Sequence, residues 1–176
     1  MDWSTFCLGL VGAAATVTGL LFIAVQINRD VLFAGRNERS RAIAGSTFTM
    51  FVLLILIPLV YLIPGLSTKG RAIFSLIIGL FGIVRVVRSW LPVWASMILD
   101  GVKGRLLATA WLLIAPIIMY AILAISSYGL LSADETTQAT LQTNIAICLV
   151  ALFSIALRNS WNLIFEVAYQ PKPENR

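Results

Sequence analysis

Five long apolar runs, separated by short polar stretches, constrain this chain more than any other feature. Residues 3–28, 42–68, 106–133 and 136–157 carry no charged side chain, and 72–90 carries only Arg85 and Arg88, near its end. Crossing about 30 Å of hydrocarbon takes about 20 mostly apolar residues in a helix. In lipid the backbone must satisfy its own hydrogen bonds, which a helix does and an open strand does not. The pattern predicts an all-α integral membrane helical bundle. Its five transmembrane helices are expected at 4–27, 43–64, 72–90, 106–128 and 138–160, within one domain of residues 1–176.

Composition agrees. The chain is 59% hydrophobic and only 12% charged, whereas a soluble domain is about 45–50% apolar and about 25% charged. So few charges cannot cover a water-exposed surface, so lipid must cover much of it. The formal charge of +5 therefore reports topology rather than nucleic-acid binding. The N-terminal residues from Met1 to Phe6 lack the basic region of a secretory signal, so the first run is expected to be a retained span.

Pro64-Gly65, followed by Ser67, Thr68 and Gly70, is turn chemistry. It joins the second and third runs as an antiparallel hairpin. The third run reaches full length only by continuing through Arg85 and Arg88, whose long side chains can reach the headgroups from a helix end. Pro92 should break or start a helix, and Trp90 and Trp94 favour the interface. Residues 91–100 are thus expected to form a separate interfacial helix. Residues 170–176, with two prolines and three charges, should form a flexible tail.

Lys and Arg set the orientation. With the N-terminus outside, eleven of the thirteen basic residues fall on the cytoplasmic side, and only Lys69 and Arg71 fall outside. The positive-inside bias selects that arrangement, with the C-terminus cytoplasmic. Trp3, Tyr61 and Tyr128 then mark the outer interface, and Trp90, Trp94, Trp161 and Tyr169 the inner one.

The first span carries a pattern. Thr5, Gly9, Gly12, Thr16, Gly19, Ile23 and Gln26 recur at steps of four and three, and so share one helical stripe. Six of the seven are small or polar. Helices in lipid associate by close packing around small residues, so the stripe should face protein. It could pack against the chain's own spans, meet another subunit, or wall a narrow polar path. A weaker stripe in the fifth span joins Asn144, Cys148, Ala151, Ile155, Arg158 and Asn162. Arg85, Arg88 and Arg158 lie near one membrane depth, where they would meet lipid phosphates or small anions, or pair with Asp30, Glu38 or Asp100. The loop from Arg29 to Arg41 is basic and could also dock on anionic lipid or an acidic partner.

Chemistry is sparse. The chain has no His and two Cys, which leaves no basis for a dedicated zinc, haem or iron–sulfur site. No Asp or Glu falls in mid-span, where proton-coupled pumps need an ionisable group. No nucleophile stands beside a base. Neither an enzyme nor a cofactor is expected.

The run from Gly12 to Asn28, GAAATVTGLLFIAVQIN, resembles the first span of small bacterial polytopic inner-membrane proteins with no assigned activity. The basic first loop and the Pro64-Gly65 turn fit the same resemblance, which covers about the first 65 residues. It implies a bacterial inner membrane and brings no activity, cofactor or functional residue. The expected function is a non-enzymatic membrane subunit that packs with its own copies or in a larger complex, in contact with the bilayer and anionic headgroups and with no nucleic acid. The alternative is an oligomeric ion channel with the first or fifth span lining the pore.

Overall fold

The computed structural model describes residues 2–27, 38–99 and 103–168. The loop around Asp30, the residues around Asp100, and the tail with Tyr169 lie outside them. All the described elements are helical: α1 (Trp3–Ile27), α2 (Glu38–Tyr61), α3 (Thr68–Leu99), α4 (Lys103–Gly129) and α5 (Glu135–Ala168).

Local chemistry sets the ends of these helices. Asp2 caps α1: its carboxylate accepts from the Ser4 amide at 3.1 Å and from the Thr5 hydroxyl at 3.0 Å. At the far end of α2 the Leu62 amide donates to the Pro58 carbonyl at 3.1 Å. Gly65 follows with φ of 75°, a left-handed conformation that glycine adopts without strain. Ser67 then caps α3 by accepting the Gly70 amide on its hydroxyl at 3.1 Å. The turn anticipated at Pro64-Gly65 therefore forms between α2 and α3.

α3 differs from expectation. It runs unbroken for 32 residues, about 48 Å at 1.5 Å per residue. Residues 91–99 extend it and do not make a separate helix. Proline removes one amide donor and crowds the preceding turn, yet a helix whose neighbours hold it can carry the residue through. Trp90 is buried in the bundle, 1% exposed.

The helices alternate in direction. Trp3 at the start of α1 stacks on Tyr61 at the end of α2, with centroids 5.2 Å apart. The Arg71 guanidinium at the start of α3 lies 5.9 Å from the same Tyr61 ring. Phe51 of α2 meets Phe153 of α5 edge to face at 6.1 Å. α2, α3, α4 and α5 each pack on the next, and α5 packs back on α2, closing a four-helix ring. α1 stands outside the ring against α2, with a slighter contact to α5. One apolar cluster fills the bundle, including Phe51, Leu54, Ile57, Ile78, Leu123, Leu149 and Leu152.

α1 and the stretches Ile43–Tyr61 of α2, Thr68–Trp90 of α3 and Glu135–Ile164 of α5 are long and apolar enough to cross a membrane. The described apolar part of α4, Leu113–Gly129, is shorter. Wide exposed apolar faces are compatible with a membrane location: Leu20 is 62% exposed, Ile77 59% and Ile125 71%.

Candidate functional site

Every member of the α1 stripe points out of the molecule. Cys7, Leu10, Ala14 and Leu21 form the buried face of α1. Thr5, Gly9, Gly12, Thr16, Gly19, Ile23 and Gln26 are all exposed, on the opposite side, roughly 180° away at 3.6 residues per turn. A Cβ added at Gly9, Gly12 or Gly19 would meet nothing within 4 Å. Among the described residues, then, the stripe does not pack against the other spans. The Thr16 hydroxyl donates to the Gly12 carbonyl at 2.8 Å, so its polarity is absorbed by its own helix. What remains outward is a stripe of mostly small or polar residues along α1, flanked by Leu8, Leu20 and Phe22, all exposed.

Beside it, α1 and α5 touch only slightly. Trp3 and Phe6 on one side and Gln142, Thr143, Ala146 and Ile147 on the other line an open groove of about 710 Å³. A smaller hollow of about 400 Å³ lies against Thr5, Phe6 and Gly9. The α5 stripe only borders the bundle: Cys148 is buried, Asn144, Ala151 and Ile155 are half-buried, and Arg158 and Asn162 are exposed. Both cysteines are free and buried.

The three arginines do not share an environment. Arg85 is half-buried, and its guanidinium donates to the Thr49 hydroxyl of α2 at 3.4 Å. Arg88 and Arg158 are exposed, and their helices α3 and α5 occupy opposite corners of the ring. The anticipated partners Asp30, Glu38 and Asp100 lie outside the described side chains.

The close helix packing sought on α1 occurs instead between α3 and α4. Ser75, Gly79 and Gly82 follow each other at steps of four and three, and all three are buried. An added Cβ at Gly82 would lie 2.6 Å from Tyr120 Cδ1, and one at Gly79 would lie 3.2 Å from the Tyr120 carbonyl oxygen. The same periodicity that drew attention to α1 was present here and would have found this contact.

Buried polar atoms without a hydrogen-bond partner collect at the two ends of the bundle. Near the α2–α3 turn are Arg71 Nε and Ser127 Oγ; toward the other end are Thr47 Oγ1, Trp90 Nε1 and Asn159 Oδ1. Among the described residues no group of three His, Cys, Asp or Glu side chains could hold a metal ion. No family model, curated protein or solved structure matches the chain.

Proposed function

We propose that the protein is a non-enzymatic membrane subunit that works by docking the outward stripe of α1 against another membrane helix, either in a second copy or in a larger complex. The supporting observation is the empty space over Gly9, Gly12 and Gly19. Lipid chains pack no better on a glycine face than on any other, whereas a partner helix gains close backbone approach there. In this reading α4 supplies the fifth crossing, its 27 residues spanning about 40 Å. The N-terminus lies outside a bacterial inner membrane and the C-terminus in the cytoplasm, as the basic residues favour. Arg88 and Arg158, exposed toward the inner end, meet anionic headgroups.

The test replaces Gly12 by Leu, a change with room in the isolated chain. The wild-type protein, extracted mildly from native membranes, should run above monomer mass, and Gly12→Leu should run as a folded monomer. A wild-type monomer with nothing bound would end the proposal. The filled apolar interior gives no support to an ion path through a single bundle, so a channel built from this chain would have to run between copies.

A further inference from the structure

We draw no further inference here: the strongest candidate, the open groove between α1 and α5 lined by Trp3, Phe6, Gln142, Thr143 and Ala146, is an unpartnered apolar face, and nothing in the structure shows what covers it.

Discussion

Asp2 shows how a single side chain can govern a helix end. Hydrogen bonds from the Ser4 hydroxyl, the Ser4 amide and Thr5 hold its carboxyl below its ordinary pKa of 3.8. A depressed carboxyl contributes stability above its unfolded pKa and loses it as the pH falls through the lower folded value. The start of α1 should therefore fray on acidification below the ordinary carboxylate range, seen as faster amide exchange at Ser4. Asp2→Asn still caps but does not titrate, so its exchange should lose that acid step, and an identical acid profile for both proteins would refute this role. Gly82 is a second such position. Its missing Cβ admits the buried Tyr120 ring, so Gly82→Ala should cost about 1–3 kcal/mol through overpacking, measured by thermal unfolding in detergent. A neutral Gly82→Ala would mean that α3 and α4 are less tightly apposed than described. The buried Trp90 was not legible in sequence, because an indole next to arginines at the end of an apolar run has the composition of an interfacial anchor. Its burial depends on which face α3 turns into the bundle, a tertiary property.

At the scale of elements, the apolar runs were readable because length and freedom from charge carry the signal and need no partner. Their ends were less so. Pro92 has the chemistry of a boundary, yet α3 passes through it, because the one amide it lacks is a single bond in a 32-residue ladder. The α1 stripe was also readable as a pattern but not as a direction. Small residues mark a face made for close approach without saying whether the neighbour belongs to the same chain. On α3 that neighbour is α4, and on α1 the space is empty. This contrast gives an element-scale expectation: Gly9→Leu should leave the unfolding temperature of the monomer nearly unchanged, whereas Gly79→Leu, facing Tyr120 and Ala124, should prevent stable folding. Equal damage from both would show that α1 is packed inside the chain's own fold.

At the scale of the molecule, orientation rests on charge asymmetry alone and is open to direct test. In a background where Cys7 and Cys148 are replaced by Ala, Lys69→Cys should react with a membrane-impermeant maleimide applied to whole spheroplasts. Glu174→Cys should react only after the membrane is opened, and the reverse pattern would invert the topology. The closed ring was not legible in the sequence at all. Nothing in the runs themselves says that α2, and not α1, lies beside α5.

That closure bears on how the protein is made. α2 and α5 are separated by two whole helices, and each gives the other an aromatic partner in Phe51 and Phe153. In the membrane reading proposed above, α1, α2, α3 and α4 can all assemble, as a ribosome feeds the chain into the bilayer, before α5 is there to cover this face of α2. The ring becomes a finished object only when α5 arrives. A chain arrested after Leu131 should therefore persist as an open half-product that quality-control proteases clear quickly, however many of its helices have already been inserted.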